Sequence, residues 1–426
     1  MPTTAALNQQ LPCLDWYLMP ESFSAPLVES AIQEYGLETG QTVLDPFSGA
    51  GTTVVTARLR GLNAVGVEVN PFLCFATRVK TRLNYDLDDL RRDIEQVLAA
   101  AEPRLAALSL APPLFPRNTS VRESTVSYST MPPPDMPRLY KWMTHRVVDK
   151  VLVLKEYIQR IERSAHRDLC RLALGAILRP VSNMKLTPHA FGSRKVKEDA
   201  PVYDLFAAKV HKMFTDLQTV SRWNNELGQT RVIEADVRNL TLDNADTRLL
   251  PADLAITSPP YLNNLDYTMQ TRLELFFLDF IKNMRELRSL RKRMVVSDAK
   301  AMYKDTKDHE TVKGFDRVQT IVEQLRERHK DKNWGWDYAF MTAQYFGGMY
   351  RTLKRVWPLL KDGSRFLLVL GESAHSGVFV PVPAIVGELG EAVGYELEEI
   401  RVLRTRRSSS HNFTLAESMV VLRKLA

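Results

Sequence analysis

The chain has 426 residues, of which 45% are hydrophobic and 25% charged, a balance typical of a globular protein rather than a disordered or fibrous one. Lysine and arginine (57) outnumber aspartate and glutamate (50), which is compatible with a polyanionic partner without being specific to one. The cysteines Cys13, Cys74 and Cys170 lack metal-ligand spacing, so reduced thiols and no metal site are expected. Since neither a secretory signal nor a bilayer-length apolar run is visible, we expect a cytoplasmic protein.

The N-terminal part of the chain alternates between helix and strand. Apolar spacing predicts a helix over 26–35, a buried strand over 42–45 that ends in a glycine-rich turn, and a helix over 53–59. A second strand is predicted over 64–69. This strand–helix–strand order implies parallel strands joined by a right-handed crossover.

The middle of the chain differs, because its apolar spacing is helical over long stretches. Helices are predicted over 87–108 and 147–178, and a segment rich in proline, serine and threonine over 111–137 indicates an irregular loop between them. Regular α/β patterning resumes with strands predicted over 231–236 and 252–257.

The C-terminal part completes the predicted sheet. Its elements are, in order, a helix over 345–360, a strand over 366–370, a helix over 382–393, and strands over 397–403 and 418–422. The fold class is therefore α/β, with one Rossmann-like sheet of about seven strands. We assign the core to 20–80 and 231–426. The helical insertions are 81–230 and, within the core, the basic segment 281–340.

A glycine-rich turn follows the first predicted strand, and it opens with the carboxylate of Asp45. Gly49 and Gly51 allow the backbone to approach a ligand, and the next helix offers free amide groups. The lysine of a phosphate-binding loop is missing, so Asp45 favours a ligand with a positive ammonium group. The other turn residues expected at this site are Pro46, Phe47 and Thr52.

Acidic residues also follow the second and third predicted strands. Glu68 ends the second strand, where α/β cofactor folds hold ribose hydroxyls; alternatively, it caps the helix after Asn70. Asp236 follows the third strand, where it would accept a hydrogen bond from an adenine amino group or serve as a surface turn acid. Asp45 and Glu68 together fit a cofactor with an amino-acid end and a nucleoside end.

The most specific motif is Ser258-Pro259-Pro260-Tyr261, which follows the fourth predicted strand. The two prolines stiffen the turn and leave carbonyl groups free to accept hydrogen bonds. The Tyr261 ring would stack on a planar heterocycle, while Ser258 and the Pro259 carbonyl bind its amino group. Acceptors on the amino hydrogens favour a pyramidal nitrogen, whose lone pair can then attack an electrophile.

These motifs resemble those of the amino-type DNA methyltransferases of restriction-modification and related bacterial systems. The matching pieces are 45–53, Glu68 and 258–261, and the segment 23–27 is similar to the one that closes over the methionine end of the cofactor. The resemblance implies a methyltransferase sheet and S-adenosylmethionine as cofactor. The residues expected to bind it are Phe23, Ser24, Asp45, Pro46, Phe47, Gly49, Gly51, Thr52, Glu68, Val69 and Asp236.

The resemblance further implies methyl transfer to the exocyclic amino group of a flipped base in double-stranded DNA, with 258–261 as the catalytic motif. A serine at the first motif position favours cytosine N4 over adenine N6. The motif order is similar to that of members whose target-recognition region lies in the insertion, here 81–230. Adenine N6, an RNA base and a non-catalytic DNA-binding subunit stay open as alternatives, as do a partner restriction endonuclease and the oligomeric state.

Three basic clusters outside the core motifs are candidates for contacts with DNA phosphates. One lies in the first insertion, one has helical spacing in the second, and one follows a C-terminal strand. The residues selected from them are Arg194, Lys195, Lys197, Arg285, Arg288, Lys292, Arg404 and Arg406. Each such run is individually typical of a solvated protein face as well.

Overall fold

One mixed sheet of seven strands forms the centre of the fold. A computed structural model describes residues 5–19, 21–110, 131–184, 196–223, 226–241, 247–299, 302–303, 305–330, 336–408 and 412–426. The strands are β1 (Thr42–Asp45), β2 (Asn63–Glu68), β3 (Thr230–Glu234), β4 (Ala252–Thr257), β5 (Leu360–Gly371), β6 (Ser373–His375), β7 (Val378–Val380), β8 (Tyr395–Arg407) and β9 (Thr414–Lys424). Of these, β6 and β7 form a separate hairpin. The predicted Rossmann-like α/β sheet is confirmed.

The order of strands in the sheet determines where a ligand can bind. The order is β3-β2-β1-β4-β5-β9-β8, and β9 runs antiparallel to both of its neighbours. The chain therefore moves outward in one direction from β1 and returns to the other side of β1 with β4. In open α/β sheets this reversal opens a crevice beyond the carboxyl ends of the strands.

Helices cover the sheet and form the insertions. They are α1 (Ala25–Glu34), α2 (Thr52–Leu59), α3 (Pro71–Thr81), α4 (Leu87–Leu110), α5 (Leu139–Trp142), α6 (His145–Gln159), α7 (Ser164–Val181), α8 (Val202–Ser221), α9 (Tyr267–Gln270), α10 (Arg272–Phe277), α11 (Met284–Lys292), α12 (Asp316–Glu327), α13 (Tyr338–Val356) and α14 (Val382–Glu391). None of the helices in the described part of the chain combines the length and apolarity that a membrane span requires.

Two helix predictions differ from the structure. The stretch 147–178, predicted as helical throughout, is divided between α6 and α7. No glycine or proline marks the break between the two helices, and Ile161 within the break is buried. Apolar spacing therefore could not reveal that the helix is interrupted. Helix α13 begins at Tyr338, seven residues before the predicted start, because the Asp337 side chain accepts a hydrogen bond of 2.8 Å from the backbone N–H of Phe340. It ends before Pro358, which cannot continue a helix.

The segment before α1 is fixed to the glycine-rich turn by a buried lysine. The Nζ atom of Lys80, on α3, donates to the carbonyl oxygens of Leu14 (3.1 Å), Tyr17 (2.7 Å) and Ala50 (2.9 Å). Its ammonium group has three hydrogens, and these three carbonyls satisfy all of them. The N-terminal segment and the ligand-facing turn are therefore held at fixed positions relative to α3.

A close approach at Gly347 brings the turn at Asp308 against α13. A Cβ atom on Gly347 would lie 2.0 Å from the carbonyl oxygen of Asp308. The Asp308 carboxylate accepts hydrogen bonds from Arg351, at 2.5 Å, and from Arg238, which is 3% exposed. Since Arg238 also binds Asp236 beyond β3, the absence of a side chain at Gly347 contributes to the placement of the strand-end residues.

We expect Gly347→Ala to lower the free energy of unfolding by about 1–3 kcal/mol, the usual cost of forcing extra atoms into a packed interior. Gly314 is the matched control, because a Cβ there meets nothing within 4 Å and its φ is not positive, so Gly314→Ala should be neutral or slightly stabilising. Urea denaturation of both variants makes the comparison. Equal free energies of unfolding of the two variants would show that the Asp308 turn can shift away from residue 347 without loss of stability.

Candidate active site

A cavity opens at the carboxyl ends of β1, β2 and β4, where the strand order reverses. The whole predicted catalytic motif lines it, namely Ser258, Pro259, Pro260 and Tyr261. Eight of the predicted cofactor-binding residues line it as well, namely Phe23, Pro46, Phe47, Gly49, Thr52, Glu68, Val69 and Asp236. Motifs separated by about 200 residues of sequence therefore face one space.

Three predicted cofactor-binding residues lie behind the cavity wall. Ser24 is fully buried at the N-terminus of α1, and Asp45 is 1% exposed. Gly51 has a φ of +85°, and a Cβ there would lie 2.7 Å from the Thr77 side chain, so glycine is needed for the turn and for packing on α3. These three residues therefore pack behind the residues that line the cavity and do not face the cavity themselves.

Asp45 joins the glycine-rich turn to the strand that carries the catalytic motif. Its Oδ1 accepts hydrogen bonds from the Thr257 hydroxyl (2.6 Å) and from the Phe47 backbone N–H (3.1 Å). Its Oδ2 is buried, and the Thr53 hydroxyl also interacts with this carboxylate. Burial raises the pKa of Asp45 to about 6. Because Thr257 directly precedes Ser258, this bond fixes the two turns relative to each other.

Glu68 supports the same turn from β2 while it faces the cavity. Its Oε2 accepts from the backbone N–H of Gly49 (2.9 Å), and its Oε1 accepts from that of Asn70 (2.8 Å). The Asn70 side chain itself caps α3, so the cap of this helix does not depend on Glu68 alone. Burial raises the pKa of Glu68 to about 7.

Glu21 is a cavity-lining carboxylate that the sequence analysis missed. Its Oε2 is buried without a hydrogen-bond partner in the part of the chain that the structure describes, and burial raises its pKa. Glu21 precedes α1 and follows no strand, so the strand-end rule could not identify it. Its position two residues before the segment 23–27, which was expected at the cofactor, was the available signal.

These groups fit a ligand that is positively charged and partly apolar. Glu21, Asp45 and Glu68 all have raised pKa values because burial penalises their charged forms, and a nearby cation favours the charged forms again. Phe47 and Leu73 add an apolar wall to the cavity. S-adenosylmethionine matches this combination, because it carries an ammonium, a sulfonium and a planar purine ring whose faces can pack against apolar side chains.

Asp236 lines the cavity within a network of buried charges. Its Oδ1 accepts from Nε of Arg238 (2.9 Å) and its Oδ2 from Nη2 of Arg238 (2.8 Å). Arg238 also binds Asp308, which is 2% exposed. Both oxygens of Asp236 are therefore engaged within the protein, and any adenine contact would share them with Arg238.

The tyrosine of the catalytic motif is held by residues from two other strands. Its ring packs over Gly371 of β5, where a Cβ would lie 3.2 Å from two ring carbons. Its hydroxyl donates to Oε1 of Glu417 on β9 (3.0 Å), and the Ser258 hydroxyl donates to it in turn (3.4 Å). Burial and the Glu417 carboxylate raise the pKa of Tyr261 well above its ordinary value, so its hydroxyl keeps its proton.

The predicted DNA-binding residues are in different situations. Arg194 and Lys195 lie outside the described residues. The Nζ of Lys197 donates to the Pro180 carbonyl, and Lys292 pairs with Asp305, each at 2.5 Å. Arg285, Arg288 and Arg406 are exposed. Arg404 lines the cavity and binds Glu417 at 2.6 and 3.1 Å, and Arg293, which follows α11, lines the cavity as well.

Comparisons with known proteins agree with one another. The family of N6- and N4-type DNA methylases matches residues 14–77, which contain the glycine-rich turn and Glu68. The Type II methyltransferase M.BsoBI of Geobacillus stearothermophilus is 26% identical over 437 residues, covering 96% of this chain and 84% of its own. The Type II methyltransferase M.AvaI of Nostoc sp. is 24% identical over 446 residues, covering 98% and 86%.

We expect Thr257→Val to lower the free energy of unfolding by about 1–3 kcal/mol, because it deprives a buried carboxylate of its hydroxyl donor. Thr342→Val is the matched control. The Thr342 hydroxyl is buried and has no hydrogen-bond partner among the described residues, so its replacement should be neutral or stabilising. Thermal unfolding of the ligand-free proteins makes the comparison, and a Thr257 variant as stable as its control would contradict the expectation.

Proposed function

We propose that the chain is an amino-type DNA methyltransferase that methylates N4 of a cytosine at a specific site in double-stranded DNA, as its similarity to this family supports. The observation that carries the proposal is the single cavity shared by the glycine-rich turn and the Ser258–Tyr261 motif, whose strands are tied by the Asp45–Thr257 bond. The serine at the first motif position favours cytosine over adenine. Adenine N6 is the alternative within the same family.

The cofactor is S-adenosylmethionine, which supplies an electrophilic methyl group on a sulfonium when bound. We assign its amino-acid end to the region of Glu21, Phe23 and Gly49. The free carboxylate oxygen of Glu21 would accept from the ammonium, and the amides at the start of α2 would receive the carboxylate. The nucleoside end would lie along Glu68, with Phe47, Val69 and Asp236 around the purine ring.

The catalytic motif would act on the target amino group directly. An exocyclic amine is a weak nucleophile, because its lone pair is delocalised into the ring. The Ser258 Oγ and the Pro259 carbonyl oxygen would accept its two hydrogens and favour a pyramidal nitrogen. The Tyr261 ring, fixed over Gly371, would hold the base plane after the base is flipped out of the duplex.

Exposed cations would hold the DNA backbone outside this cavity. Arg285 and Arg288 on α11, Arg406 on β8, and Arg293 at the cavity are the described candidates, and Arg194 and Lys195 add to them from the sequence. We assign target recognition to the insertion 81–230. The two relatives are both named Type II methyltransferases, which supports a restriction-modification setting with a partner endonuclease and hence a cytoplasmic enzyme.

The function is tested by incubating the purified protein with plasmid DNA and labelled S-adenosylmethionine, followed by mass spectrometry of the nucleosides. We expect label on N4-methylcytosine, and label that accumulates much more slowly after Ser258→Ala. Label on N6-methyladenine would keep the enzyme class and overturn the cytosine assignment. Label only in added RNA would overturn DNA as the substrate.

We expect the affinity for S-adenosylmethionine to fall as the pH is lowered from about 8 to about 5.5. Glu68 and Asp45, with pKa values of about 7 and about 6, are ionised at the upper pH and become protonated through this window, which removes negative charge from around the cationic ligand. Each carboxyl that must lose its proton weakens binding by up to about tenfold per pH unit below its pKa.

Titration calorimetry in two buffers of different ionisation enthalpy measures both the affinity and the proton release. S-adenosylhomocysteine, which lacks the sulfonium charge, is the matched ligand, and its affinity should depend less on pH. Identical affinities for S-adenosylmethionine at both pH values, without proton release, would contradict this electrostatic account.

A further inference from the structure

A chain of four hydrogen-bonded side chains leads from the surface of the sheet to the catalytic serine. Arg404 Nε donates to Oε2 of Glu417 (2.6 Å), and its Nη2 donates to Oε1 (3.1 Å). Glu417 Oε1 accepts from the Tyr261 hydroxyl (3.0 Å), which accepts from the Ser258 hydroxyl (3.4 Å). Proposed catalysis uses Ser258 and Tyr261 but leaves Arg404 and Glu417 without a role.

The direction of these hydrogen bonds follows from the chemistry of each group. A carboxylate can only accept, so the single hydroxyl hydrogen of Tyr261 points at Glu417. The oxygen of Tyr261 is then left as an acceptor, and the Ser258 hydroxyl donates to it at 3.4 Å. Once that hydrogen points at Tyr261, the lone pairs of Ser258 are its remaining hydrogen-bonding capacity, and Ser258 lines the cavity.

The sheet keeps this chain in place. Arg404 and Glu417 are directly paired residues of the antiparallel strands β8 and β9. The Glu417 side chain is only 10% exposed, and the bidentate arginine compensates its charge there. Gly371 of β5 is paired with Glu417 of β9 across the sheet. Because the Tyr261 ring packs on Gly371, it lies next to Glu417. The strand register thus sets the positions of the donors and acceptors.

We propose that Arg404 and Glu417 are positioning residues that make Ser258 a hydrogen-bond acceptor for the amino group of the target base. The inference rests on the proposed function, since it concerns the same amino group. An amino group presents N–H donors, so a serine whose hydrogen pointed into the cavity would oppose it. Arg404, selected from the sequence as a DNA contact, would thus act on the reaction from within the protein.

The proposal makes the effects of the four residues depend on one another. In Glu417→Ala the Tyr261 hydroxyl loses its acceptor and turns to Ser258, whose own hydrogen is then driven into the cavity. In Tyr261→Phe the serine has no fixed partner and can rotate to accept. Removing the tyrosine hydroxyl should therefore suppress the defect of Glu417→Ala, whereas two merely structural lesions would add.

The test is the single-turnover rate of methyl transfer to DNA at saturating S-adenosylmethionine. We expect Glu417→Ala to lose at least about tenfold and to be no faster than Ser258→Ala, because a misdirected donor is worse than a missing acceptor. The double variant Tyr261→Phe/Glu417→Ala should return to the rate of Tyr261→Phe. In a Ser258→Ala background, Glu417→Ala should cost nothing further.

Glu396→Ala is the matched control, because Glu396 accepts from Arg423 across the same two strands at 2.8 Å and lies away from the cavity. It should transfer methyl at the wild-type rate. Should Glu417→Ala unfold, the volume-matched Glu417→Gln carries the test: its amide oxygen can still accept from Tyr261, so its rate should exceed that of Ser258→Ala. A rate at or below that of Ser258→Ala would overturn the proposal.

Additive effects in the double variants would overturn the positioning role while leaving the methyltransferase intact. Failure of the proposed function would look different, because the wild-type protein itself would then transfer no methyl group to DNA. The two failures are therefore distinguishable in the same set of measurements.

Discussion

A hydrogen bond of 2.6 Å from the Thr257 hydroxyl to the Asp45 carboxylate joins the two turns that build the cavity. Neighbouring parallel strands bring their carboxyl ends together, but at the reversal of strand order the chains that leave β1 and β4 diverge. A side-chain bond between the last residues of these strands is what keeps the glycine-rich turn and the Ser258 turn in register. The geometry of both motifs depends on it.

The distribution of charge around the cavity follows from the same arrangement. Buried carboxylates, Asp45 and Glu68 among them, lie at the strand ends, where burial raises their pKa values. Arginines such as Arg293 lie towards the outside. A cationic cofactor within and a polyanionic substrate outside would each meet opposite charge. One site can thus hold both without drawing the DNA backbone into the cofactor position.

The sequence predicted those parts of the site that depend on local pattern. The strand ends, the glycine-rich turn and the 258–261 motif are each visible within a few residues, and the structure brings them together. The contacts that hold them are not local: Tyr261 and Glu417 are 156 residues apart, and Thr257 and Asp45 are 212 apart. Asp45 was therefore expected as a ligand contact, whereas its bond to Thr257 keeps it behind the wall. Glu417 was not selected as a site residue, because only the β8–β9 register places it opposite Arg404.

The helical insertion is joined to the cavity through its packing rather than through a linker. Helices α4, α6, α7 and α8 share one hydrophobic core with α3, which begins directly after β2. Asp216 of α8 accepts from the Cys13 backbone N–H (3.1 Å) and the Trp16 indole (2.8 Å), and Lys80 connects that same segment to Ala50 of the glycine-rich turn. If the insertion reads DNA as proposed, a displacement of α8 on binding would pass to the cofactor turn through this segment. Recognition of the target and the shape of the cofactor site would then be linked by rigid contacts.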